Sequence, residues 1–82
     1  MAVELNQGGY WICRHPEHPC ILEIFEAAEL KKADKMEGGY VPIANADTYE
    51  AALERVQSIL MEVYQRDPQM TDIKAQIKEL YQ

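Results

Sequence analysis

No apolar run in this chain approaches the ~20 residues that a membrane-spanning helix needs, so the sequence predicts no membrane span. A basic surplus is missing too: 14 acidic residues face 8 Lys and Arg, for a formal net charge of -6. Domains that grip nucleic acid gather Lys and Arg to neutralise phosphates. The one basic cluster here, Lys31, Lys32 and Lys35, is interleaved with Glu29, Asp34 and Glu37, the pattern of a solvated mixed-charge face. The charge therefore argues against direct nucleic-acid binding and favours a protein partner with a basic surface. Cysteines number only two, too few for a disulfide framework. Glycine is confined to the pairs Gly8-Gly9 and Gly38-Gly39, and neither leads into the Lys and Ser/Thr of a phosphate-cradling loop. No catalytic motif stands out. The opening residues, Met1 to Gln7, lack the basic start and apolar core of a secretory leader, so the expected compartment is the cytoplasm.

What is present suffices for one small domain. Hydrophobic residues make up 48% of the 82 residues and charged residues 27%, which is globular and too apolar for disorder. Residues 1–82 are read as a single α+β domain, with 1–8 a frayed lead-in. A chain this short buries only ~60% of its unfolded surface. A homodimer would cover a leftover apolar strip.

Tyr10, Trp11, Ile12 and Cys13 follow a Gly-Gly pair and read as a strand. Two prolines, Pro16 and Pro19, break the run. Cys20 to Phe25 reads as the returning strand or as a helix start, and the strand makes the more coherent picture. A two-residue turn at Pro16-Glu17 would pair Trp11 with Leu22, Cys13 with Cys20 and His15 with His18. A longer loop from His15 to Pro19 is an equal alternative, because Pro16 rules out the favoured hairpin turn. The expected fold is then a β-hairpin over about 9–15 and 20–25, a short helix over about 26–37, a short edge strand over 40–44, and a C-terminal helical hairpin over about 48–66 and 72–81. Gly38-Gly39 stops the first helix, and Pro42 marks the strand as an edge. Asp47 with Glu50 forms a capping-box pattern. Tyr49, Ala52, Leu53, Val56, Ile59, Leu60, Val63 and Tyr64 form one apolar stripe at helical spacing, with Met61 at its border. Thr71 is the expected cap of the last helix, which carries Ile73, Ile77, Leu80 and Tyr81 on one side. Gly-Gly-Tyr occurs at 8–10 and again at 38–40, as glycines before a strand in each case.

One constellation carries chemistry: Cys13, His15, His18 and Cys20 lie within eight residues. Four Cys and His ligands match a zinc tetrahedron in number. Their spacing does not match the two separated ligand pairs of structural zinc sites. The competing readings are a Cys13–Cys20 disulfide and plain thiols beside turn histidines. As nucleophile and base they would make a thiol enzyme, but the sequence offers no orienting third group and no oxyanion hole. Tyr10, Trp11, Tyr40 and Tyr81 are candidate interface or core aromatics; Trp11, Tyr40 and Tyr81 are carried forward as interaction residues.

Gly39 to Val63 resembles the strand-then-helix segment of HicB-like antitoxins, through a short strand followed by Ala46-Asp47-Thr48-Tyr49-Glu50-Ala51-Ala52-Leu53. The likeness covers about a third of the chain, and the Pro-Gly-Cys strand end expected of that family is absent. It implies a small α+β domain that binds and blocks a partner protein. The functional expectation is a small acidic protein-binding or regulatory module with no catalytic activity and no cofactor, an inhibitor or antitoxin-like partner protein. The alternative is a zinc module on Cys13, His15, His18 and Cys20, and the second alternative is a thiol-dependent enzyme.

Overall fold

The computed structural model describes residues 9–81. The expected lead-in, 1–8, lies outside the described residues. The elements run β1 (Tyr10–Arg14), β2 (Glu23–Glu26), α1 (Ala27–Met36), β3 (Val41–Ala46), α2 (Tyr49–Arg66) and α3 (Ile73–Leu80). The strands form one sheet in the order β2-β1-β3, with both pairings antiparallel. This is the expected α+β arrangement: an N-terminal hairpin, an edge strand and a C-terminal helical pair.

The hairpin differs from expectation in its register. Trp11 pairs with Phe25 and Cys13 with Glu23, where the short turn would have paired them with Leu22 and Cys20. The turn itself forms. Pro16 occupies its second position, and the His18 N–H donates to the His15 carbonyl at 3.2 Å. Pairing does not resume directly after it: Pro16 fixes a negative φ, so the turn cannot take the primed geometry whose twist suits a two-residue hairpin. The chain stays in a loop through Leu22, and β2 starts only at Glu23. The resulting slip is an odd number of residues, so it changes which side chains share a face. Trp11 and Cys13 now sit beside Phe25 and Glu23, while Tyr10 and Ile12 sit beside Glu26 and Ile24.

β3 is an edge strand, as Pro42 predicts. Opposite it the register shifts between Ile12 and Cys13, which pair with Ala44 and Pro42. Ile43 is the extra residue of this bulge, and the irregular ladder accommodates a proline.

The alternation of β1 gives the domain two apolar sides. Ile12 joins Ala52, Ile59, Val63 and Ile77 in the fully buried cluster under α2 and α3. Cys13, one residue on, is buried apart from that cluster, as is Leu30 of α1. α1 packs on β1 and β2.

Caps fix the helix ends. In α1 the Glu26 N–H donates to the Glu29 carboxylate at 3.2 Å. In α2 the cap is Thr48, one residue beyond the expected Asp47. Thr48 keeps an extended backbone, and its hydroxyl accepts from the Ala51 N–H at 3.1 Å. In α3 the cap is Asp72, one residue beyond the expected Thr71, and it accepts from the Ala75 N–H. The α2–α3 turn is organised by Asp67, whose carboxylate accepts from the Thr71 and Gln69 N–H groups and from the Gln76 amide. These bonds hold its carboxyl below the usual range. No helix among the described residues is long and apolar enough to cross a membrane.

Two substitutions should separate core from cap. Ile59→Ala removes a fully buried side chain and should cost about 2–5 kcal/mol. Thr48→Ala removes one cap and should cost about 1 kcal/mol. Urea denaturation measures both, and equal losses would contradict this placement of the core.

Candidate functional site

The loop after β1 carries the densest polar geometry of the described residues. His15 and His18, three positions apart around the Pro16 turn, stack with ring centroids 3.7 Å apart and planes within 5°. The Tyr40 ring stands edge-on to both, at 4.8 and 5.4 Å, and edge-on to Phe25 at 5.3 Å.

The two histidines have different duties. His15 is buried. Its Nδ1 accepts from the Glu17 N–H at 3.2 Å. A ring nitrogen that accepts carries no hydrogen, so the proton sits on Nε2, which donates to the Gly38 carbonyl at 2.9 Å. Gly39 makes this approach feasible. It has φ +86, and a β-carbon built there would lie 2.7 Å from His15 Nε2.

His18 bridges two carboxylates, with Nδ1 2.8 Å from Glu23 Oε2 and Nε2 2.8 Å from Glu37 Oε1. Carboxylates only accept, so the doubly bonded ring is an imidazolium. Its hydrogen bonds to Glu37 and then Glu23 raise the His18 pKa above its ordinary value. The same contact, followed by the bond from the Tyr40 hydroxyl at 3.1 Å, holds the Glu37 carboxyl low. Burial and then Glu37 push the Tyr40 phenol up to about 12. Glu37 is the C-cap of α1, where the unpaired carbonyls of a helix end favour a cation. From α3, Lys74 Nζ donates to the His15 carbonyl at 3.3 Å and to the His18 carbonyl. The turn is thus tied to β2, to the end of α1 and to α3.

Of the four expected metal ligands the fold gathers two. His15, His18 and Glu37 each offer a ligand atom, all within 4.8 Å of one another. Cys13 is buried, and burial, with Glu23 next in effect, pushes its thiol up to about 12. Cys20 is exposed in the loop, and both cysteines are free. Glu37 follows His18 by 19 positions, so no local spacing announced it. The available signal was its place just before the helix-stopping Gly38-Gly39.

The three expected interaction aromatics are mostly engaged within the domain. Tyr40 is built into the histidine cluster. The Tyr81 hydroxyl donates to Glu62 at 2.7 Å and ties α3 to α2. Trp11 is half-buried, with a buried indole N–H that has no hydrogen-bond partner among the described residues. Exposed large apolar side chains lie elsewhere, at Met36, 82% exposed at the end of α1, and along α2. Leu53 is 42% exposed and Met61 57%, and Tyr49 and Tyr64 are about half exposed. Leu60, Met61, Tyr64 and Met70 line one shallow apolar groove there.

Compared with known proteins, the chain matches no family model, no curated protein and no solved structure.

Two outcomes follow from the site. His18 has a raised folded pKa, so its contribution is complete below the ordinary value of 6.5 and is lost as pH rises through the folded value. Glu37 has a lowered pKa, so its contribution is present above 4.5 and is lost as pH falls through the folded value. The pair therefore stabilises most between 4.5 and 6.5. Chemical denaturation should show stability declining as pH rises above 6.5 through the raised folded value of His18, and His18→Gln should flatten that decline. An identical decline in the variant would remove His18 from the explanation. Separately, iodoacetamide followed by mass analysis should label Cys20 readily and Cys13 only on unfolding.

Proposed function

We propose that the chain is a small acidic protein-binding or regulatory module of the cytoplasm, without catalytic chemistry of its own, acting as an inhibitor or antitoxin-like partner protein. The observation that carries this reading is the outer flank of α2, where Tyr49, Leu53, Met61 and Tyr64 stay exposed on a rigid helix. Aromatic and large aliphatic anchors on a fixed element are what a protein interface needs at its centre. Asp47 and Glu50 border that flank, so a fitting partner would bring Lys or Arg to its rim. Two further observations weigh against the thiol-enzyme alternative. The Cys13 thiol is buried and its pKa raised, and both His15 nitrogens are committed to backbone groups. The test is retention of a stoichiometric protein partner from native extract by the wild-type chain and by Leu53→Lys. The substitution should abolish retention while the far-ultraviolet circular dichroism stays unchanged. Equal retention by both chains would sink the α2 reading.

A second reading, a metal module, is favoured by the convergence of His15, His18 and Glu37 within 4.8 Å. A divalent ion such as zinc would have to replace the proton that His18 shares with Glu37 and break the His15 bond to Gly38. This ligand set differs from the four-residue Cys/His set by including Glu37 and omitting both cysteines. Native mass spectrometry with added zinc should then show one ion per chain, lost in His18→Ala and kept in Cys13→Ser and Cys20→Ser. Absence of the ion from wild type, or its loss in either cysteine variant, would reject this set.

A further inference from the structure

We infer that the cavity between the end of β1 and the first turn of α3 is a binding site for a carboxylate group, held by Arg14 and Lys74. It lies apart from the α2 flank and does not depend on the reading given to that flank.

Of the eight Lys and Arg residues, Lys31, Lys32, Lys35, Arg55, Arg66 and Lys78 are exposed, and only Arg14 and Lys74 are half-buried. An exposed cation is served by water. A half-buried one gives up part of its hydration and ordinarily takes a carboxylate in return. This chain has 14 acidic residues to offer. Yet the ion pairs among the described residues belong to His18 and Arg66, and none reaches Arg14 or Lys74.

The two cations meet at one cavity. Alternation along β1 sets Arg14 on the face that carries Ile12, and Ile12 packs in one cluster with Ile77 of α3. Lys74 comes from the same helix, one turn before Ile77. Together they line a space of about 20 Å³, with Pro16, Ile21 and Ile77 supplying apolar wall.

Donors are left over on both sides. An ammonium has three N–H groups. Two of those on Lys74 are engaged by the His15 and His18 carbonyls, which also fix its position. The third is free for a ligand. Arg14 Nε is buried and has no hydrogen-bond partner among the described residues. His15 adds no donor, because both its ring nitrogens are already bonded. Two positive charges on one cavity repel, and an unbonded buried N–H costs the desolvation of that group. A single anion relieves both.

The walls choose among anions. The space admits little more than one water-sized atom, so one carboxylate oxygen enters and a tetrahedral phosphate does not. Ile77 is fully buried and closes the floor, while Pro16 is exposed and stands at the rim. Pro16 and Ile21 therefore offer hydrocarbon to the carbon chain behind the anionic head, which a bare halide lacks. Charge-assisted bonds from a guanidinium and an ammonium suit a carboxylate oxygen. Occupied, the site ties β1 to α3.

The test is a titration of the isotope-labelled full chain with sodium propionate in place of sodium chloride, followed by nuclear magnetic resonance. The Arg14 Nε–H signal and the amide signals of Ile21 and Lys74 should shift saturably, and sodium phosphate should not reproduce the effect. Arg14→Gln should raise the dissociation constant at least tenfold. Lys74→Gln, which keeps a donor for the two carbonyls but loses the charge, should weaken binding too, and it carries the test if Arg14→Gln does not fold. Lys78→Gln, an exposed charge one turn further along α3, should leave binding unchanged. Absence of a saturable shift overturns the inference. So does an equal response to phosphate, or a propionate response indifferent to both Arg14→Gln and Lys74→Gln. A capped glutamate (N-acetylglutamate amide) separates the sources of the carboxylate. Binding as tight as that of propionate assigns the site to a protein side chain, and entry of propionate alone assigns it to a small free acid.

Discussion

The His18 imidazolium, held at 2.8 Å by carboxylates from two different elements, is the contact on which the N-terminal half depends. Between β1 and β2 lie eight residues with no ladder bonds to organise them. Glu23 opens β2 and Glu37 closes α1, and one ring tethers the loop to both. Tyr40 completes the arrangement by bonding Glu37 and standing against both imidazoles. A charged ring between two carboxylates is stronger than a neutral hydrogen bond and fixes direction as well as distance. That is how a loop containing two prolines acquires a defined shape.

The same cluster governs what the domain can do chemically. Proton-sharing and metal-binding compete for one set of atoms, because an ion at His15, His18 and Glu37 needs the lone pairs now used by hydrogen bonds. The nucleophile that might have worked with these histidines is a buried thiol. Burial, with Glu23 next in effect, disfavours a thiolate at Cys13.

Elements with a strong local signal were legible in the sequence. The α2 stripe, the Gly-Gly stop of α1 and the edge character marked by Pro42 all appear where periodicity and glycine or proline chemistry place them. The caps were misplaced by one residue at Asp47 and Thr71, because neighbouring Asp and Thr residues compete for the same role and only the backbone decides. The hairpin register was less legible. Cys13 and Cys20, like His15 and His18, invite symmetric pairing, but Pro16 denies the turn the primed geometry that pairing needs, and β2 begins only at Glu23. The candidate site was half legible. His15 and His18 stand out, whereas Glu37, Tyr40 and Lys74 join them only through tertiary folding, and no spacing rule reaches across such separations.

Lys74 gives the turn a dependence on time as well as on space. It grips the carbonyls of His15 and His18 from 59 and 56 residues further along the chain. Synthesis runs from the N-terminus, so β1, β2 and α1 leave the ribosome well before α3 does. The histidine turn can stack and find its carboxylates early, yet it cannot be fastened by Lys74 until α3 is out. A nascent chain arrested before α3 would thus present this turn unfastened. Emergence of α3 is the event that closes it.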